Sequence, residues 1–145
     1  MAKYDPILLA EDDEDFVELV RRALRRARVP NRLVVARNGK EVIEYLEREA
    51  AFPDRATHPL PGLLMLDSRL PVLDGFDVLA WLRARPGLQE LPAVMLAPSC
   101  GEDDLRKARQ LGAADCRRKP NPEELQNLVK ELHQRWFVDE TRALG

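Results

Sequence analysis

The chain has 145 residues and a formal net charge of −2, with 45% hydrophobic and 33% charged residues. That length suits one domain able to bury ~68–70% of its unfolded surface, and the charge gives no basic field for nucleic acid or an anionic membrane. Cys100 and Cys116 lack metal-ligand spacing, and the N-terminal apolar run of four residues is neither a signal peptide nor a span, so a reduced, cytoplasmic protein is expected.

Short apolar runs alternate with helical patterns along the chain. "ILLA" (7–10) reads as a first strand, and "EDDED" leads into a helix whose Phe16, Val17, Val20, Leu24 and Ala27 share one face. Pro30-Asn31 breaks it before a second strand, "RLVVA" (32–36). The Asn38-Gly39 turn opens a helix carrying Val42, Ile43 and Leu46. A loop with three prolines, "AAFPDRATHPLPG", precedes the third strand at 63–67, where "LLML" ends abruptly on Asp67. A helix from about Phe76 through Val78, Leu79 and Leu82 is stopped by Pro86. "LPAVMLA" (91–97) makes a fourth strand, and "EDDLRKARQLG" a fourth helix closed by Gly112. "ADCRRK" is a short fifth strand, and "PEELQNLVKELHQRWF" a final helix with Pro and acids at its start. The core should run from about 6 to 137, with a short tail at 138–145.

Five βα units imply an α/β fold, a doubly wound parallel sheet with helices on both faces. Function in such sheets gathers beyond the C-terminal strand ends. With a 2-1-3-4-5 strand order, strands one and three are neighbours, so Asp12, Asp13 and Asp67 converge. Two carboxylates ~5 Å apart repel by ~3 kcal/mol at an effective dielectric of 20, so three together call for a cation. An oxygen-only set without His or Cys points to Mg²⁺. Lys119, after the fifth strand, adds a positive charge. A carboxylate beside Mg²⁺ and a lysine is arranged to attack phosphorus and become an aspartyl phosphate. An acidic run after a strand is by itself ordinarily an N-capping turn; the four elements at the correct strand ends carry the reading.

The chain resembles the receiver domain of two-component response regulators over nearly its whole length. The matching residues are "ILLAEDDEDF", "LLMLDSRLPVLDG" and "LGAADCRRKP". The third loop and "HQRWF" look like the single-domain regulators that accompany bacterial phytochrome-type kinases. The resemblance implies a flavodoxin-like (βα)5 fold and a phosphoryl group accepted on Asp67 from a histidine kinase or phosphotransfer protein. It also implies Mg²⁺ held by Asp12, Asp13, Asp67 and the backbone carbonyl of Ser68 or Arg69, Lys119 on the phosphoryl oxygen, and a cis Lys119–Pro120 bond. A homodimer through the face of the fourth helix, fifth strand and fifth helix is implied as well. Signalling would then proceed by protein contact without an output domain, and not as an enzyme beyond the domain's own phosphotransfer and dephosphorylation.

Two positions depart from the family pattern. The switch hydroxyl at the end of strand four falls on Ala97, and the toggling aromatic falls on Cys116. Pro98, following the first, has no N–H to offer a phosphoryl group. Ser99 could replace the hydroxyl or serve as a surface cap. Arg69 could pair with phosphate or stand as an exposed loop residue. Arg117 and Arg118 could protect the edge strand or meet an acidic partner. His58 and His133, without partners suggested by spacing, read as surface residues, and Trp136-Phe137 as core or a dimer contact. The alternative function is a phosphorylation-independent pseudo-receiver acting as an interaction module. A flavodoxin-type cofactor protein is excluded because "EDDED" would repel a phosphate, and an aspartate phosphatase because Arg69 stands where a second acid or hydroxyl is needed.

Overall fold

A computed structural model describes residues 3–139 of the chain, so most of the expected tail lies outside the described residues. Strands and helices alternate: β1 Ile7–Ala10, α1 Glu14–Arg26, β2 Leu33–Ala36, α2 Gly39–Ala50, β3 Leu63–Asp67, α3 Gly75–Ala84, β4 Ala93–Ala97, α4 Glu102–Gln110, β5 Asp115–Arg118 and α5 Pro122–His133. The strands pair in parallel, as the alternation implies, and their order is the expected β2-β1-β3-β4-β5. β4 starts two residues later than the apolar run suggests. Leu91 and Pro92 precede the ladder, and Pro92 contributes only its carbonyl, which accepts from Leu64 N–H at 2.9 Å.

The apolar residues of the strands divide by parity, because successive side chains of a strand point to opposite faces. Leu8, Ala10, Leu64, Leu66 and Met95 pack with Val42, Leu46, Val78, Leu79 and Leu82 on the α2–α3–α4 side. Ile7, Leu9, Leu63, Met65 and Val94 pack with Phe16, Val17, Val20, Leu125, Val129 and Leu132 beneath α1 and α5. β1, β3 and β4 are buried end to end, whereas β2 and β5 at the edges are only partly covered. This burial explains why the central strands are unbroken apolar runs and β5 is "DCRR".

Helix ends follow their capping chemistry. Asp13, Asn38, Asp74 and Asn121 each accept a backbone N–H at an N-terminus, and Asp74 and Asn121 complete capping boxes with Asp77 and Glu124. The last helix changes to a wider π turn over Gln134–Val138, which seats Trp136 and Phe137 in the α1–α5 core. That burial answers the choice between core and contact surface in favour of core.

Two expectations are corrected. Cys100 and Cys116 are joined in a disulfide, with Cα atoms 6.4 Å apart; the chain between them forms α4 and returns to the sheet, a proximity invisible in the sequence spacing. The described residues contain no cis peptide bond, so Lys119–Pro120 is trans.

Candidate functional site

The site forms where the ladders of β1, β3 and β5 run out at their C-terminal ends. Ala10 of β1 pairs with Leu66 of β3, so Glu11 and Asp67 leave the sheet side by side. Each departing loop is pinned by one more ladder-like bond: Glu11 N–H to Ala36 O at 2.9 Å, Ser68 N–H to Leu96 O at 2.9 Å and Lys119 N–H to Ala97 O at 2.7 Å. The functional side chains therefore project from backbone held as firmly as the strands.

Asp67 is buried. Its Oδ1 accepts the Arg69 N–H at 3.0 Å, and its Oδ2 lies 3.4 Å from Lys119 Nζ. The same ammonium stands 2.8 Å from Oε1 of Glu11, a side chain only 1% exposed, and 4.5 Å from the centre of the Phe16 ring. Glu11 Oε2 accepts the Asp13 N–H at 3.1 Å. Burial, reinforced by the Asp67 charge, pushes the Glu11 carboxyl from about 4.5 up to about 7 against the pull of Lys119 and the Asp13 N–H. At Lys119 burial disfavours the ammonium, but its contacts with Glu11 and Asp67 outweigh that and raise its pKa above the ordinary lysine value.

The acidic group that converges is Glu11, Asp12 and Asp67, whose nearest carboxylate oxygens lie within 4.8 Å of one another. Asp13, expected beside them, instead turns its Oδ1 to the Asp15 N–H at 2.9 Å and caps α1. β1 ends at Ala10 as expected, but the residue that follows it directly, Glu11, takes the inward position, while Asp13 is drawn off as the N-cap of α1. The group suits a hard divalent cation. Two of its carboxylates, Glu11 and Asp67, are buried, and Lys119 is shared between them.

The remaining candidates fall into place around this centre. Ala97 ends β4 in the core, Pro98 and Ser99 are exposed beyond it, and Gly101 rather than Ser99 caps α4. Arg69 is exposed, and the Ser68 carbonyl accepts the Gly75 N–H at 3.0 Å. Arg117 is paired with Asp115 at 2.7 Å and with Glu131, and Arg118 with Glu124 at 2.6 Å. Those charges are matched within the chain. His58, read as unpartnered, has its Nδ1 3.0 Å from Glu49 Oε2 and stacks on Phe52. Val72, which no sequence signal marked, is exposed between β3 and α3 at φ +69°, in a tight turn closed by Leu73 N–H to Pro71 O at 2.8 Å.

Comparison with known proteins gives the family and the fold. The response regulator Rcp1 of Synechocystis is 30% identical over 133 residues, covering 90% of this chain and 88% of its own. Its Mn²⁺-bound crystal structure superposes with a TM-score of 0.76. The phosphorylated cyanobacterial phytochrome response regulator RcpA gives a TM-score of 0.78 at 32% identity, covering 92% of this chain and 94% of that one. The bacteriophytochrome response regulator AtBRR gives 0.71 at 32% identity, with the same shares covered. The model of the response regulator receiver domain matches residues 7–130, and the chain belongs to that family.

Proposed function

We propose that Asp67 accepts a phosphoryl group from the phosphohistidine of a phytochrome-type kinase or phosphotransfer protein, and that the chain signals by contact with other proteins. The observation that carries this is one carboxylate, buried at the end of β3, with an N–H on Oδ1, an ammonium 3.4 Å from Oδ2, and two further carboxylates within metal-sharing reach. The Asp67 carboxylate attacks phosphorus, a P–O bond forms, the P–N bond breaks, and the imidazole leaves with the electron pair. The Arg69 N–H holds the carboxylate in orientation. Lys119, tethered by Glu11, neutralises charge on the phosphoryl oxygens. Glu11, Asp12 and Asp67 would hold Mg²⁺, together with the Arg69 carbonyl since that of Ser68 is engaged by Gly75. When bound, the ion supplies Lewis-acid stabilisation of the transferring group.

Ala97 and Pro98 favour a second reading, an interaction module indifferent to phosphate. Together they remove a hydroxyl and an N–H from the neighbourhood of Asp67. At ~1.5–3 kcal/mol per hydrogen bond to a charged group, the deficit is ~3–6 kcal/mol. Reversing a two-state equilibrium from 1:99 to 99:1 takes about 5.5 kcal/mol, so the deficit is large enough to uncouple phosphorylation from shape without stopping the chemistry. A homodimer across α4, β5 and α5, and a cytoplasmic location, accompany the first reading as expectations; no helix among the described residues is long and apolar enough to cross a membrane.

Intact mass after incubation with acetyl phosphate and Mg²⁺ tests the proposal. One phosphoryl adduct is expected, lost in Asp67→Asn and in metal-free buffer. No adduct from acetyl phosphate or from a kinase of the phytochrome class, with Mg²⁺ binding shown separately, would leave the interaction module as the function.

A further inference from the structure

The Cys100–Cys116 bridge lies outside the phosphorylation chemistry, and its surroundings give it a role of its own. Cys116 is buried in β5 on the side that faces α4, and Cys100 is half-exposed in the short loop between β4 and α4. The 16-residue separation between them contains the whole of α4. That helix is the least anchored of the five. Ala108 is its buried residue, Asp104, Leu105 and Leu111 are half-covered, and the rest of its surface is polar and exposed. Its N-cap, Gly101, supplies no side-chain bond to the first turn. Beyond these contacts it is held by Lys107 over the Phe76 ring at 4.2 Å and by the turn into β5. A covalent tie at its N-terminal end therefore acts on the element with the least packing to replace it.

We propose that Cys100 and Cys116 form a reversible dithiol–disulfide site, oxidised by low-molecular-weight disulfides, that sets how tightly α4 is held against the sheet. The burial of the two residues differs in the sense that reversible exchange requires, since the half-exposed Cys100 is the one on the solvent side and the buried Cys116 can act as the resolving thiol. On oxidation, the Cys100 thiolate attacks the small disulfide, forms a mixed disulfide and releases one small thiolate. The Cys116 thiolate then attacks Cys100 Sγ, closes the internal bridge and releases the second. Two protein thiols are oxidised and one disulfide is reduced to two thiols, which take up the two protons. Reduction runs the same exchange backwards, with attack at Cys100. The tie restricts the chain over the α4 segment, so its loss frees that segment first. The site does not depend on Asp67 or its metal, and its failure would leave the phosphorylation proposal standing.

The full-length chain, equilibrated in glutathione buffers of graded ratio and then quenched with an alkylating agent, gives the redox state by intact mass. Amide exchange over residues 98–112 gives the state of α4. The expected result is a single transition between a doubly alkylated and an unalkylated monomer. Exchange in 98–112 should be faster in the reduced chain while β1 and β3 stay protected, and the melting temperature should fall by about 10 °C. Cys100→Ser should show the reduced exchange pattern in every buffer, which separates loss of the tie from loss of folding. Full alkylation of both cysteines at the oxidised end of the series, a bridge between two chains instead of within one, or exchange in α4 that is the same in both redox states would each overturn the proposal.

Discussion

At the scale of single residues, the chain spends stability to hold its acidic centre. Glu11 and Asp67 are both buried with one ammonium between them, and Asp12 brings a third carboxylate within reach. Lys119 is the one ammonium among three carboxylates, and burial, reinforced by the Asp67 charge, raises the pKa of Glu11. A divalent ion relieves that crowding, so metal binding should register as stability. Mg²⁺ at a hundred times its Kd should add about 2.7 kcal/mol, a rise of about 8 °C in melting temperature for a chain of this size. Glu11→Gln removes one charge from the crowded group. The variant should melt at or above the wild type in EDTA and gain far less from Mg²⁺, with at least a tenfold weaker Kd by titration calorimetry. Asp13→Ala should behave oppositely, losing about 1 kcal/mol of helix capping while keeping its Mg²⁺ affinity. Equal loss of metal affinity in both variants would return Asp13 to the ligand set.

At the scale of elements, the site depends on how closely α3 can approach the end of β3. Gly75, the first residue of α3, donates its N–H to the Ser68 carbonyl, and a Cβ there would lie 2.5 Å from the Asp67 carbonyl oxygen and 2.9 Å from Ser68 Cα. Both neighbours are backbone, so the helix or the loop must shift. Gly75→Ala should cost about 1–3 kcal/mol by denaturant unfolding and slow acetyl-phosphate labelling of Asp67 by moving its loop. A variant as stable and as readily labelled as wild type would show that the loop yields freely. The helix itself was legible in the sequence from about Phe76, but the reason for the glycine that starts it lies across the loop. The same limit separates what could and could not be read elsewhere. Unbroken apolar runs disclosed β1, β3 and β4 because both faces of those strands are covered, and Asp67 stood out because a charge ended one such run. Glu11 was passed over for Asp13 because, within a run of five acids, nothing in the sequence marks which one turns inward after the strand and which one caps α1. The bond between Cys100 and Cys116 escaped because it depends on where the intervening helix returns the chain to the sheet.

At the scale of the whole molecule, one sheet serves two cores. Leu8 and Leu64 face α2 and α3, while Leu9 and Met65, their neighbours in the same strands, face α1 and α5. Neither core can lose its strands without exposing the other, so the faces should melt together despite having no side chains in common. The two tryptophans report on them separately. Trp81 on α3 packs at the edge of the first core, under Arg85 with its guanidinium 5.9 Å from the ring centre. Trp136, in the π turn that follows α5, is buried in the second. In the oxidised chain, Trp81→Phe leaves a probe of the α1–α5 face and Trp136→Phe a probe of the α2–α3–α4 face. Within each variant, urea transitions followed by fluorescence and by far-ultraviolet circular dichroism should share one midpoint and one slope. A fluorescence transition that precedes the loss of helix in the Trp136→Phe variant would mean that the α2–α3–α4 layer detaches as a unit. The coupling through β1, β3 and β4 would then be weaker than their burial implies. Coincident transitions in both variants would establish that a disturbance at the ends of these strands is felt on both faces of the sheet.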